Sequence, residues 1–468
     1  MATSAGTPEN PLRVAVVGSG PSGFYAAGHL LSAKERTVEV DMFDTLPTPF
    51  GLVRAGVAPD HPKIKSVIRV YEKTAAKEGF RYFGNVTVGE DISHAELKER
   101  YHAVIYAVGA QTDRSMGIPG EDLPGSWAAT EFVAWYNGHP DFRDLEFDLS
   151  CKRAAVIGNG NVAMDVARML ALPREELEVT DTADHAIEVM ADSAIEEIVI
   201  IGRRGPAQAA FTNPELRELG ELTDADVIVD PDDVKLDSHS ARSIEGEGDI
   251  TPRRNVEILT EYSQLEPSGK PKKVILRFLR SPVEIKGDGK VEAIELVRNE
   301  LEHGSDGRLR AQATHDHETL DVGIVFRSIG YRGVPIEGLP FDEWKGTIPN
   351  EEGRVVDPHE QRAIPGEYVV GWIKRGPSGV IGTNKRDAQE TVDHVLEDLD
   401  ENRLPEPEKN EAAEVEALIG ERKPDFVSYA GWELIDAAEK AAGEPQGRPR
   451  VKFTRVEEML DAARTSVS

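Results

Sequence analysis

One glycine pattern occurs twice in this chain, each time between an apolar run and a helix-forming run, and that repetition limits the possible folds more than any other feature. The first copy is LRVAVVGSGPSGFYAAGHLL, in which Gly18, Gly20 and Gly23 are spaced GxGxxG. Leu12 to Val17 reads as a buried β-strand, Phe24 to Leu31 as a helix and Val38 to Phe43 as the next strand. The second copy is AAVIGNGNVAMDVARML, where Gly158, Gly160 and Ala163 follow a strand at Arg153 to Ile157 and open a helix at Asn161 to Leu170. Its second strand runs from Ile195 to Ile201, after an acidic, helix-prone insertion around Pro173 to Ser193. Strand, glycine turn, helix and strand make a βαβ unit with a right-handed crossover. Two such units predict an α/β chain with two Rossmann-like dinucleotide-binding domains.

The two turns differ in the charge that follows them. Glycines let the backbone approach a pyrophosphate, and the helix N-terminus behind them points amides at it. After the first turn the second strand ends in Asp44, a carboxylate placed to accept hydrogen bonds from ribose hydroxyls and to repel a 2′-phosphate, so FAD or NAD fits this site. The corresponding strand of the second unit runs EIVIIGRRGP, which sets Arg203 and Arg204 where the acid would be. Two guanidiniums form charge-assisted bonds to a 2′-phosphate, so that site prefers NADP. Plain tight turns also carry glycines, and acids could neutralise the arginines, but strand, turn and charge agree in both copies. Together they predict FAD in the first domain, NADPH in the second, and hydride transfer from nicotinamide to flavin.

Composition removes other classes. There are 84 acidic against 54 basic residues, net −30, which argues against nucleic acid and anionic membranes as partners. A single cysteine, Cys151, allows no internal disulfide and no CxxC pair, so redox chemistry must use a bound cofactor, in a reducing, cytoplasmic setting. That count also excludes a disulfide reductase with a redox-active pair and a glutamate synthase small subunit with cysteine-ligated clusters. No apolar run is long enough to span a bilayer, and MATSAGTPENP reads as a short flexible leader. Apolar strands at Ala103 to Val108 and Gly323 to Ile329 are each followed by glycine, which fits a crossing between domains and equally fits simple turn chemistry. The expected division is 1–112 (first domain, N-terminal part), 113–330 (second domain) and 331–468 (first domain, C-terminal part). From about Asp400 the chain turns polar, with helical pieces around Glu411 to Leu418 and Trp432 to Ala442, and reads as a surface layer.

The strings GSGPSGFYAA, LPTPFGLVRAGVAPDHPKIK, FGNVTVG, AVIGNGNVAMDVAR, GRRGPAQAAFTNPELREL and GWIKRGPSGVIGTNK together resemble the adrenodoxin reductase family, in particular its bacterial NADPH:ferredoxin reductases. The resemblance covers most of the chain. It implies an FAD domain with an inserted NADP domain, and single-electron transfer from the flavin to a ferredoxin, a small acidic iron–sulfur protein. It implies FAD contacts at Ser22, Asp44, Leu52, Val88, Trp372, Gly379, Val380 and Ile381. It implies NADP contacts at Asn159, Gly160, Asn161, Val162, Arg203, Arg204, Glu215 and Gly379. Asp44 stands where the family commonly has glutamate, and Ser22 where it has alanine. His61 and Glu215 fall in strings that the family places near flavin and nicotinamide, which implies positioning and proton supply. Turn duty for His61 and a helix-dipole acid for Glu215 are the structural alternatives.

The activity expected is that of a ferredoxin–NADP+ reductase, acting as a monomer. A diaphorase that passes electrons to quinones or small acceptors is the other enzymatic reading, and a nucleotide-sensing module the non-enzymatic one. Three basic clusters are candidate docks for an acidic partner: Lys65, Arg69 and Lys73, spaced four apart along one expected helix; Arg253 with Arg254; and Lys374 with Arg375; a solvated, salt-bridged face is the ordinary reading of any single one, and at least one is expected to steer ferredoxin.

Overall fold

A computed structural model of the chain describes residues 5–245, 248–304 and 309–464. It divides into two compact units, Met1–Thr112 with Gly330–Ser468, and Asp113–Ile329. The inserted unit ends at Ile329, and the return segment begins at Gly330, where φ is 107°.

The first unit begins with β1 (Leu12–Val17), α1 (Pro21–Leu30) and β2 (Val38–Asp44). β1 and β2 are parallel, with Leu12 opposite Val38. The short helices α2 (Leu52–Ala55) and α3 (Pro62–Lys65) and the longer α4 (Ile68–Ala75) follow, then β3 (Phe80–Gly84) and β4 (Ala103–Tyr106). Every residue of β1 is buried, as a parallel strand covered on both faces requires. Two expectations are corrected here. The leader is anchored from Ala5 onward: Ala5 is buried in the core and the Gly6 carbonyl accepts from Thr37 N–H at 2.9 Å, while residues 1–4 lie outside the described chain. The basic stripe does not lie on one helix either. Hydrogen bonds tighten to i+3 spacing at Val67, Arg69 and Val70, and this turn separates α3, which carries Lys65, from α4, which carries Arg69 and Lys73.

The second unit contains β5 (Ser126–Ala128), β6 (Arg153–Ile157), α5 (Asn161–Ala171), β7 (Glu197–Ile201), α6 (Asn213–Gly220), β8 (Ala225–Val229) and β9 (Lys272–Arg277). It continues with β10 (Arg280–Lys286), β11 (Ala293–His303), β12 (Leu309–Asp321) and β13 (Ile324–Arg327). Six strands form a parallel sheet in the order β5-β13-β6-β7-β9-β8, and β10-β11-β12 form a separate antiparallel sheet. Ile285, Ile294 and Leu296 of the antiparallel sheet pack with Ile157 and Val199 of the parallel one. The acidic insertion holds two short helices, Arg174–Leu177 and Asp184–Ala191.

The chain then returns to the first unit. β14 (Asn350–Glu351), β15 (Arg354–Asp357) and β16 (Arg362–Val369) complete a seven-stranded sheet, β14-β15-β16-β4-β1-β2-β3, in which β16 lies parallel to β4 with Val369 opposite Tyr106. α7 (Trp372–Arg375) and α8 (Thr383–Asp400) follow; Ala388, Val392 and Val395 of α8 share one core with Phe24 and Ala27 of α1.

The tail helices α9 (Ala412–Arg422), α10 (Tyr429–Gly443) and α11 (Val456–Arg464) are not the expected surface layer. Val415 and Ile419 complete the core on one face of the sheet, and Val427, Trp432, Ile435 and Met459 complete it on the other. Val427 also bridges Gly84 at the end of β3. The tail's polar composition hid a few large apolar residues at helical spacing, each of which is buried. Among the described residues no helix is long and apolar enough to cross a membrane.

Candidate functional site

In the first turn the three glycines have three different reasons to be glycine. Gly18 has φ 105°, and a Cβ there would lie 2.6 Å from the carbonyl oxygen of Ala107, just past β4. A Cβ on Gly23 would meet the Gly18 carbonyl at 2.1 Å. Gly20 differs: nothing lies within 4 Å of its would-be Cβ, and as N-cap of α1 it makes no side-chain cap bond. The orphan amides of a ten-residue helix therefore open onto free space, the cradle a pyrophosphate needs. Asp44 shapes this turn. One carboxylate oxygen accepts from Ser19 N–H at 2.9 Å and Ser19 Oγ–H at 2.5 Å, and the other from Leu46 N–H at 3.0 Å. Sequence reasoning gave Asp44 only a ribose; its duty in holding the loop depends on Ser19, which carried no signal of its own.

The C-terminal part of the chain reaches the same place through Asn384, a buried residue that sequence reasoning passed over. Its Oδ1 accepts from Ser22 Oγ–H at 3.0 Å and Arg375 Nη2–H at 2.9 Å, and its amide donates to the Ile381 carbonyl at 3.2 Å. Ser22 also abuts Gly371, whose φ of 76° turns the chain into α7. The run Gly379, Val380, Ile381 is thus tied to the glycine turn, with Gly379 at φ 81°. Trp372 starts α7, half-buried, its ring 5.1 Å from that of Tyr331. Val88 is half-buried against the core. Leu52 and Val380 are 40% and 56% exposed, which leaves apolar surface bare beside the cradle. His61 is buried as the N-cap residue of α3, and its N–H donates to the Ala58 carbonyl.

The second turn repeats the device. Gly158 has φ 134°, and a Cβ there would lie 2.0 Å from the Ser328 carbonyl, just past β13. Gly160 again faces open space and caps α5 with no side-chain bond. Among the described residues the buried Asn159 Nδ2 has no hydrogen-bond partner, while the Asn159 backbone carbonyl accepts from Ala210 and Phe211 N–H at 2.9 and 3.1 Å. Asn161 Oδ1 accepts from Thr212 N–H at 2.8 Å, so the cradle also fixes the loop that starts α6. Val162 lies half-buried in the first turn of α5. Glu215 is buried in the first turn of α6, and its carboxylate accepts from Arg168 Nη1–H at 3.3 Å. Arg168 is a partner that sequence reasoning did not name.

Arg203 is exposed and Arg204 half-buried, and neither forms an ion pair with any acid among the described residues. In a chain with 84 acids that is a bare cationic site. Burial first, and the neighbouring Arg203 charge second, lower the pKa of Arg204, so an anion between the two would relieve both costs. The backbone beneath them is fixed, because buried Asn299 donates to the Arg203 carbonyl at 2.8 Å. Both cradles thus fit a dinucleotide, the first without a cation for a 2′-phosphate and the second with two.

The pyridine nucleotide-disulphide oxidoreductase family model matches residues 12–200, a span that holds both glycine turns. The chain is 52% identical over 461 residues to the NADPH-ferredoxin reductase FprA of Mycobacterium tuberculosis, covering 96% of this chain and 98% of that protein. It is 42% identical over 468 residues to the mitochondrial NADPH:adrenodoxin oxidoreductase of Arabidopsis thaliana, covering 97% and 95%. The solved structure of Mycobacterium tuberculosis FprA in complex with NADPH is similar with a TM-score of 0.91 at 51% identity, covering 97% of this chain and all of that one. The chain therefore belongs to the family of NADPH-ferredoxin reductases and adrenodoxin oxidoreductases.

Proposed function

We propose that this chain is a cytoplasmic, FAD-containing NADPH:ferredoxin oxidoreductase, with FAD held by residues 1–112 and 331–468 and NADPH by residues 113–330. The assignment rests above all on two open glycine cradles followed by opposite charges, Asp44 after the first and, after the second, Arg203 and Arg204, which have no ion-pair partner among the described residues. The names of the relatives, which specify NADPH with ferredoxin or adrenodoxin, support it. When bound, flavin accepts a hydride from nicotinamide and can release the electrons one at a time to an iron–sulfur protein. The chain supplies binding and orientation. Gly18, Gly20 and Gly23 with the α1 amides hold the flavin nucleotide's pyrophosphate, and Asp44 offers its carboxylate to the ribose while it holds the turn. Ser22, Leu52, Val88, Trp372 and Gly379 to Ile381 wall the rest. Asn159 to Val162 hold the second pyrophosphate, with Asn159 Nδ2 as a waiting donor, and Arg203 and Arg204 clamp the 2′-phosphate. Hydride transfer depends on alignment more than on a strong acid or base, so His61 and Glu215 act in positioning and in holding a proton.

The test is stopped-flow reduction of the purified protein by NADPH and by NADH, followed by cytochrome c reduction with and without a ferredoxin. Fast bleaching with NADPH, slow bleaching with NADH and a ferredoxin-dependent rate are expected. Bleaching without ferredoxin stimulation would make the protein a diaphorase, and no bleaching would leave a nucleotide-binding module.

A further inference from the structure

Gly202, Arg203 and Arg204 follow the end of β7, and all three of their carbonyls are held by the antiparallel sheet and the corner that leads into it. Arg280 N–H donates to the Gly202 carbonyl at 3.0 Å, Asn299 Nδ2–H to the Arg203 carbonyl at 2.8 Å and Leu279 N–H to the Arg204 carbonyl at 3.2 Å. Gly202 N–H in turn donates to the Arg277 carbonyl at 2.9 Å. The corner between β9 and β10 is only two residues long, Phe278 and Leu279. Leu279 has φ 54°, a left-handed conformation that a leucine keeps only where its surroundings over-determine it. Here they do. Phe278 N–H donates to Asp233 Oδ2 at 3.3 Å, Arg280 Nη1–H to the Phe278 and Leu279 carbonyls at 3.0 and 3.2 Å, and Asn299 N–H to the Leu279 carbonyl at 2.8 Å.

Asn299 is the unusual member of this frame. Val297, Asn299 and Leu301 alternate along the buried face of β11, with exposed Arg298 and Glu300 between them, a position where an apolar side chain is the ordinary choice. An amide only 2% exposed loses its hydration there and needs compensating bonds. Its Nδ2 makes two, to the Arg203 carbonyl and to Ser281 Oγ, each at 2.8 Å. The consequence falls on the two guanidiniums. Adjacent like charges repel, and a loop free to turn would part them or fold them back onto its own carbonyls. With those carbonyls engaged, the backbone under both arginines is set before any anion arrives, and less ordering remains to be done on binding.

We propose that Asn299 is a positioning residue for cofactor selection: acting through the Arg203 carbonyl, it holds Arg203 and Arg204 ready for a 2′-phosphate and so sets the preference for NADPH over NADH. This rests on the reading of Arg203 and Arg204 as the 2′-phosphate clamp. The test uses the full-length, flavin-loaded protein and two probes titrated by calorimetry, adenosine 2′,5′-bisphosphate and 5′-AMP, with kcat/KM for NADPH and for NADH followed by ferricyanide reduction. Asn299→Leu keeps nearly the same volume and removes the donor. It should raise Kd for the bisphosphate and lower kcat/KM for NADPH by about fivefold or more, the usual weight of one lost hydrogen bond, while the values for 5′-AMP and NADH stay within about twofold of the parent. Asn299→Ser, too short to reach the Arg203 carbonyl, should show the same selective loss, and it decides the matter if the leucine variant fails to fold. A folded variant with unchanged selectivity, or one that weakens both probes alike as a merely structural role would, overturns the proposal and leaves the clamp standing. A parent that binds the bisphosphate no better than 5′-AMP overturns the clamp and the proposal with it.

Discussion

Glu439 is where the first unit is most open to a single chemical change. Its side chain is fully buried and accepts from Arg54 Nη1–H at 2.9 Å, Arg54 Nη2–H at 2.5 Å, Arg450 Nη1–H at 3.1 Å and Phe453 N–H at 3.0 Å. The Arg54 guanidinium lies 5.3 Å from the Trp432 ring centre, and the Arg54 carbonyl accepts from Lys452 Nζ–H. One carboxylate thus joins α2, next to the cradle, to α10 and the segment after it. Glu439→Gln keeps the volume and removes the charge, which leaves Arg54 with no counterion here and Arg450 with Asp436 alone, at 2.7 Å. Breaking a buried pair from one side costs about 3–5 kcal/mol, and the surviving Asp436 contact places this case near the lower end, about 3 kcal/mol. In a unit of about 250 residues each kcal/mol moves the midpoint by roughly 2–4 °C, so the melting transition followed by tryptophan fluorescence should fall by about 6–12 °C. The double variant Arg54→Met, Glu439→Met replaces charge with apolar volume and should recover most of that loss. A shift under about 2 °C for Glu439→Gln, or a double variant as unstable as the single, would refute the view that this network anchors the tail.

Other expectations follow from the same geometry. Gly20→Ala meets no atom within 4 Å and should fold with stability within about 1 kcal/mol of the parent yet lose flavin on dialysis, whereas Gly18→Ala, at φ 105° and 2.6 Å from a carbonyl, should cost at least about 1–3 kcal/mol in urea unfolding. Replacing Arg203 and Arg204 by serine should lower kcat/KM for NADPH by about 10- to 100-fold per guanidinium and leave NADH nearly unchanged, because each charge-assisted bond contributes about 1.5–3 kcal/mol. Burial first and Glu131 second push Asp113 up to about 7, against the pull of Arg327. The folded state then holds a proton that an unfolded aspartate, with a pKa near 4, gives up, so this stabilisation is full below about pH 4 and disappears as pH rises to about 7. Asp113→Asn should therefore raise stability by about 1–2 kcal/mol at pH 8, after allowance for solvent screening, and little at pH 4.5; an equal gain at both would show that the carboxyl is not the cause.

What the sequence disclosed of this fold was local. The first βαβ unit announces itself between Leu12 and Phe43, and the second, despite its acidic insertion, between Arg153 and Ile201, because in both an apolar strand, a glycine turn and a helix are read at neighbouring positions. The charge reversal between Asp44 and the pair Arg203–Arg204 is local too, and both turns open onto the space expected of a cradle. Contacts between distant residues stayed hidden. Nothing near Ser22 points to Asn384, and nothing in the polar tail marks Trp432 as the edge-on partner of Phe50. The helix break at Ser66–Val67 escaped notice because residue spacing is blind to a switch from i+4 to i+3 hydrogen bonds. The antiparallel sheet β10-β11-β12 was missed because β12 is largely exposed and polar, so no buried face gave it a period.

The interrupted first unit sets an order on synthesis. β4 finds its second neighbour, β16, only after the whole of Asp113–Ile329 has left the ribosome. At roughly 5–20 residues per second that delay is about 10–40 s. The inserted unit is continuous and can close while it waits, but the nascent β4 edge has its hydrogen-bonding groups unpaired throughout and is open to other strands. A slow-folding substitution in the inserted unit would not have to touch the first unit to harm it; lengthening the wait would be enough to raise the aggregated fraction in a growing cell.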